Sequence, residues 1–241
     1  MSVFDAIIGH RQVVDLLVGE LASPSQAYLF GGPSNVGKAS IARIFAAGLV
    51  GGADDDLARR ALEGVHPDLI VVAPEGRTSI TVDQARMVVS AAARSPLEAD
   101  TKVFLIEEAS LLNDEAANAL LKTIEEPIRS TRFVLVAESE EDLPATVASR
   151  CRTVVFGRVP ESDIVEGLMR NGVDPDQAAR AARISGGRPG LAIALATEPE
   201  VAAFRDAWLG VPDELTGHPG DAYLAVGRVM AATEPLLAAV K

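Results

Sequence analysis

The chain has 241 residues, more than one typical domain of roughly 150, and its 48% apolar and 23% charged residues supply a buried core and exclude a disordered polymer. Aromatics reach only 4%, so Ala, Val and Leu must fill the interior, as they do where helices cover a parallel sheet. A net charge of −12 sets the average surface against phosphate backbones, no apolar run approaches the ~20 residues of a membrane span, and the single Cys151 excludes an internal disulfide or a multi-thiolate zinc site. With no basic stretch and apolar signal core at the N-terminus, the expectation is a soluble, cytoplasmic protein.

In chain order, the opening stretch from Phe4 to Gly9 leads into apolar positions Val13, Val14, Leu17, Val18 and Leu21, the spacing of an amphipathic helix that Ser23-Pro24 stops. A short run at 27–30, a glycine-bearing loop at 31–38 and a helical pattern through Ile41, Ile44 and Phe45 read as strand, phosphate-type loop and helix. Residues 48–64, with glycines, Asp54-Asp55-Asp56 and a short helical patch, read as a variable surface excursion. Its aspartates suit a solvated loop better than a cation site. Strands are expected at 69–72, 103–106, 133–137 and 153–156, with helices at 82–93 and from Asp114 to the breaker Pro127. Strands alternating with helices imply βαβ crossovers and a parallel sheet.

After Pro160 only helices are expected, at 162–171, at 176–184 and after Gly186-Gly187-Arg188-Pro189-Gly190, with Asp163 and Asp174 as first-turn or cap residues. Beyond Pro199 the pattern stays helical, broken at 210–220. The reading is therefore an α/β P-loop domain over 1–158, a small helical lid over 159–198 and the start of a third helical domain over 199–241.

Gly32-Pro33-Ser34-Asn35-Val36-Gly37-Lys38 has the P-loop spacing, in which backbone N–H groups and a helix N-terminus cradle phosphates while the lysine reaches the terminal ones. The next residue is Ala39 rather than the Ser or Thr that would hold Mg²⁺, and Ser40 on a helix points about 100° away. Glu107 and Glu108 end the 103–106 strand where a metal-holding Asp and a water-activating Glu are wanted, but Glu107 is one methylene longer than Asp. The combination should weaken metal-dependent hydrolysis, while binding of ATP without turnover, or a loop that merely turns the chain, both stay open.

Ser95-Pro96-Leu97-Glu98, Lys102-Val103, the run from Asn118 to Pro127 and Ser149-Arg150-Cys151, in that order, resemble the signatures of the clamp-loader branch of the AAA+ family, and His66-Pro67-Asp68 and Val82-Asp83-Gln84 fit as well. The resemblance runs from about Phe4 to Ala196. It implies a delta-prime-type subunit of a bacterial DNA polymerase III clamp loader, the hetero-oligomer that loads a sliding clamp on primed DNA. It further implies gamma/tau and delta subunits as partners, a weak or absent ATPase of its own, and Arg150 as a finger acting in trans on a neighbour's ATP. A guanidinium on a γ-phosphate is worth ~10³ or more in rate. From the residues alone Arg150 is also open to a surface ion pair. Arg152 is expected to be solvated. Arg188 resembles a nucleotide-sensing arginine acting in cis, although Pro189 suggests a helix start. The family's four-cysteine zinc module has no counterpart in residues 48–64, so zinc is not expected, and the chain holds at most the start of the family's collar domain. The alternatives are an active gamma/tau-type ATPase, since Lys38 and Glu108 are present, and a P-loop kinase unrelated to replication.

Overall fold

The computed structural model describes residues 4, 7–52, 54–74, 79–218 and 220–239, so Asp5 and Ala6 of the opening stretch and the final Lys241 lie outside the description. Two compact units divide the chain, Met1–Arg158 and Val159–Lys241. In the first, β1 (Ala27–Gly31), β2 (Leu69–Val72), β3 (Lys102–Ile106), β4 (Thr131–Ala137) and β5 (Arg152–Val155) form one parallel sheet among the described residues, in the order β2-β3-β4-β1-β5. β1 and β3 are buried along their whole length because helices cover both faces, which is why these strands read as continuous apolar runs. Successive side chains alternate between the faces. Tyr28, Phe30, Val103, Leu105, Val134 and Val136 pack with α1 (Arg11–Leu21) and α2 (Lys38–Gly51). Leu29, Phe104, Ile106, Phe133 and Leu135 pack with α4 (Val82–Ala92) and α5 (Asp114–Glu125).

The structure differs from expectation at residues 48–64. α2 continues to Gly51, and α3 (Asp55–Leu62) lies against it with Ala58 and Ala61 buried. Asp54 caps α3, accepting from the N–H groups of Asp56 at 2.9 Å and Leu57 at 3.2 Å, while Asp56 pairs with Arg59 at 2.5 Å. The acidic run thus starts a helix, where carboxylates meet its positive end. A Cβ built on Gly51 would stand 2.6 Å from the Cβ of Ala58, so the close approach of α2 and α3 is open only to glycine. Gly51→Ala should therefore cost about 2 kcal/mol by overpacking. A urea melt should show a lower midpoint with an unchanged slope.

At the N-terminal edge of the sheet, three of the sequence motifs meet. The Asp68 carboxylate, fully buried, accepts from the N–H groups of Leu97, Glu98 and Ala99 at 2.7, 2.8 and 3.0 Å. From the other side the buried Lys102 ammonium donates to the carbonyls of Ala91, Arg94 and Ser95 at 3.3, 3.1 and 3.1 Å, closing the negative end of α4. An anion and a cation thereby clamp the connection from α4 to β3.

Helices are the only regular elements among the described residues of the second unit: α7 (Glu161–Arg170), α8 (Pro175–Ser185), α9 (Pro189–Thr197), α10 (Pro199–Leu209), α11 (Val211–Glu214) and α12 (Asp221–Ala239). α6 (Ala145–Ala148) belongs to the first unit. Asp174 caps α8 through the N–H groups of Asp176 and Gln177, and proline stands in the first turn of α8 and α9, where its fixed φ suits a helix start. Between α10 and α12 runs an apolar groove of about 300 Å³ lined by Trp208, Leu215, Val226 and Met230 among others, and Tyr223 and Leu224 stand exposed beside it.

Candidate nucleotide site and arginine turn

Parallel strands deliver their following loops to one edge of the sheet. The C-terminal ends of β1, β3 and β4 accordingly place the Gly32–Lys38 loop, Glu107 and Glu138 there, the edge where open α/β sheets bind ligands. Gly32 has φ +149°, and a Cβ on it would meet the Phe156 carbonyl oxygen at 2.2 Å, so no other residue fits. Asn35 at φ 62° and Gly37 at φ 102° curl the loop through the left-handed region. Val36 anchors it, side chain buried and carbonyl accepting from His10 Nε2 at 2.8 Å. α2 then starts at Lys38, with Ala39 and Ser40 exposed on its first turn. The backbone has the form of a phosphate cradle.

The side chains are committed elsewhere. Lys38, buried, points back into its own loop and donates to the carbonyls of Gly32 at 2.5 Å and Pro33 at 2.7 Å. Burial lowers its pKa, with the nearby Glu138 charge acting against that shift. The Ser34 hydroxyl donates to Glu138 Oε1. Arg43, one turn beyond Ala39 on α2, grips Glu107 through Nε and, at 2.8 Å, through Nη2, so that carboxylate faces a guanidinium. Glu108 is exposed, its backbone opening a 3₁₀ turn at Ala109–Leu111, and its side chain has no partner among the described residues. As arranged, this donor set does not fit a magnesium-bound triphosphate: position 39 offers no hydroxyl, Glu107 is neutralised, and Lys38 is turned inward.

Sequence reasoning missed Arg43 and Glu138. Glu138 follows β4 as Glu107 follows β3, and that repeated acid at a strand's end was the available signal. Arg43 had none, because its partner is 64 positions away.

Arg150 sits in the turn after α6, not on a strand. Its Nη2 pairs with Glu125 at 2.8 Å, at the end of α5, and its Nη1 donates to the Thr146 carbonyl at 2.8 Å. Both side chains remain accessible, at 34% and 52%. Glu125 raises the pKa of Arg150 and is itself held below its usual range by the arginine. Burial and the charge of Glu140 push the neighbouring Cys151 thiol up to about 12, leaving it an un-ionised, inert group. Arg152, expected to be solvated, instead pairs at 2.9 Å with Glu20 of α1, because its register opposite Tyr28 brings it to the carboxylate that also accepts from the Tyr28 hydroxyl. Arg188 belongs to the second unit, where its carbonyl takes the first bond of α9; its Nε is buried with no hydrogen-bond partner among the described residues.

Arg150 and the phosphate loop are at opposite edges of the sheet. Arg152 lies beside Tyr28 at the start of β5, and Val155 beside Gly31 at its end. At about 3.3 Å per residue, the three steps of β5 from Arg152 to Val155 already span roughly 10 Å, and Arg150 lies in the turn before that strand begins.

A sequence model of the family described as DNA polymerase III, delta subunit, matches residues 9–160. Among curated relatives, the delta-prime subunit of DNA polymerase III from Escherichia coli is 41% identical over 134 residues, 55% of this chain and 40% of its own length. The delta-prime subunit from Bacillus subtilis is 31% identical over 209 residues, 84% of this chain and 63% of its own. The tau/gamma subunit from Haemophilus influenzae is 33% identical over 175 residues, 68% of this chain and 25% of its own. The chain thus spans less than two thirds of the length of each of these relatives, from 25% to 63%. Among solved structures, a RuvB variant from Thermotoga maritima superposes with a TM-score of 0.58 at 18% identity, covering 88% of this chain and 67% of that one, and supports the AAA+ fold alone.

Proposed function

Since the chain belongs to the DNA polymerase III delta subunit family, we propose that it acts as a delta-prime-type clamp-loader subunit that lends Arg150 to the ATP site of a neighbouring subunit and hydrolyses little or no ATP itself. The observation that carries this reading is the placement of Arg150 at the sheet edge opposite the Lys38 loop, exposed and held by Glu125, so that its guanidinium is out of reach of its own phosphate cradle and available to another molecule. A guanidinium bonds two phosphate oxygens at once and keeps its charge, which suits it to the charge spread over a transferring phosphoryl group. The partners on this reading are gamma/tau and delta subunits, with the sliding clamp and primed DNA met through the assembly in the cytoplasm. The chain's charge of −12 fits contact with DNA through others rather than alone. Exposed Trp208, Tyr223, Leu224 and Met230 on the second unit fit a subunit that associates.

A second reading, an active gamma/tau-type ATPase, is favoured by the tau/gamma relative, which matches at an identity close to that of one delta-prime relative. Steady-state ATPase measurement on the purified chain separates the two. Turnover indistinguishable from the Lys38→Ala variant is expected, and sustained turnover lost in that variant would establish the second reading instead.

A further inference from the structure

A loop that binds a polyphosphate offers inward-facing N–H groups and a free lysine ammonium to the outer oxygens. In this chain the Lys38 ammonium is already engaged by two carbonyls of the loop it should serve. Beside it stands a carboxylate that the catalytic machinery of a P-loop does not call for. Glu138 is tied to the loop twice: its carbonyl accepts from the Gly32 N–H at 2.9 Å, and its side chain accepts from the Ser34 hydroxyl. The first bond continues the β1–β4 pairing one step past Gly31 and Ala137, so the sheet itself fixes where Glu138 stands.

The geometry points to Glu138 as an electrostatic gate that keeps nucleoside di- and triphosphates out of this chain's own phosphate loop, with the Ser34 hydroxyl as its latch. Two effects act together. A fixed negative charge at the rim repels incoming phosphate oxygens. The Ser34 bond holds the loop in the form whose carbonyls retain Lys38. The inference deepens the reading above and rests on it: weak nucleotide use would follow from a carboxylate at the rim as well as from the missing hydroxyl at Ala39.

The test is titration of the full chain with a fluorescent ATP analogue and with its ADP counterpart, with and without magnesium. Glu138→Gln removes the charge but keeps an oxygen for the Ser34 hydroxyl, and because Glu138 is exposed the replacement leaves the core untouched. At least tenfold tighter binding is expected in Glu138→Gln, about threefold in Ser34→Ala, and a return to the native value when Lys38→Ala is added to either. Thermal melts confirm that each variant is folded. Unchanged affinity in both single variants overturns the gate, as does a gain that survives Lys38→Ala, because binding would then lie outside the loop. The outcome is separable from the fate of the trans-acting role. Loss of loader ATPase on Arg150→Ala with no affinity gain in Glu138→Gln removes the gate alone, whereas the gain with undiminished loader ATPase removes only the role of Arg150.

Discussion

Arg150→Ala is expected to leave the chain folded and to lower ATP hydrolysis by the reconstituted loader about 10³-fold, the effect typical of withdrawing an arginine finger. The folded state should tolerate the change, because among the described residues the side chain's partners are Glu125 and the Thr146 carbonyl at an accessible surface, and exposed pairs of this kind contribute little. The thermal midpoint of the isolated chain should therefore hardly move. Arg150→Lys keeps the charge but loses the planar fork, so it should restore only a small part of the rate. Glu125→Gln should leave the rate largely intact, since it frees Arg150 without removing it. Steady-state ATPase of the assembled complex, with clamp and primed DNA present, is the measurement. A loader carrying Arg150→Ala that turns over at the native rate removes Arg150 from the mechanism.

Why the strands and the phosphate loop were legible but the setting of Arg150 was not comes down to distance along the chain. The strand at 103–106 announces itself because four consecutive apolar residues must be buried on both faces, and the phosphate loop because its glycines and lysine are local. The covering helices follow the same logic, their apolar stripes spaced to meet the sheet. What could not be read were pairings that only the folded sheet creates: Arg43 with Glu107, Ser34 with Glu138, Arg150 with Glu125, Arg152 with Glu20. Each joins an arginine or hydroxyl to one of 34 acidic residues, and sequence alone does not choose among them. The short helical patch at α3 reads as part of a surface excursion, and its packing is missed for a different reason. Its aspartates and flanking glycines look like loop chemistry until Ala58 and Ala61 are seen against α2, where the small residue Gly51 is what lets the two helices touch. Asp68 and Lys102 were visible as motif residues, but their purpose was not, because it lies in backbone groups with no side-chain signature.

That purpose makes Asp68 a position where one substitution should cost the fold heavily. Asp68→Ala leaves the N–H groups of Leu97, Glu98 and Ala99 without their acceptor in a buried setting, and the charge-assisted bonds involved set the loss at about 3 kcal/mol. For a unit of this size that corresponds to a fall in melting temperature of about 10 °C. Asp68→Asn keeps one acceptor oxygen and should recover part of it. The pH dependence carries its own sign. Burial disfavours the ionised carboxyl, but the bonds from Ala99, Glu98 and Leu97 outweigh it, with a further pull from His66, and the folded-state pKa lies below the ordinary value. A group depressed in this way contributes its stability fully above the unfolded-chain pKa of about 3.9 and loses it as pH falls through the folded value. Between pH 7 and pH 5 the native chain and Asp68→Asn should therefore differ by a constant amount, and below about pH 4 the gap should close, because the native carboxyl becomes protonated and donates where an acceptor is needed. Urea melts of both proteins across that range decide the matter. A gap that persists undiminished at pH 3 would show that the charge on Asp68 is not what holds the turn at Leu97 to Ala99 in place.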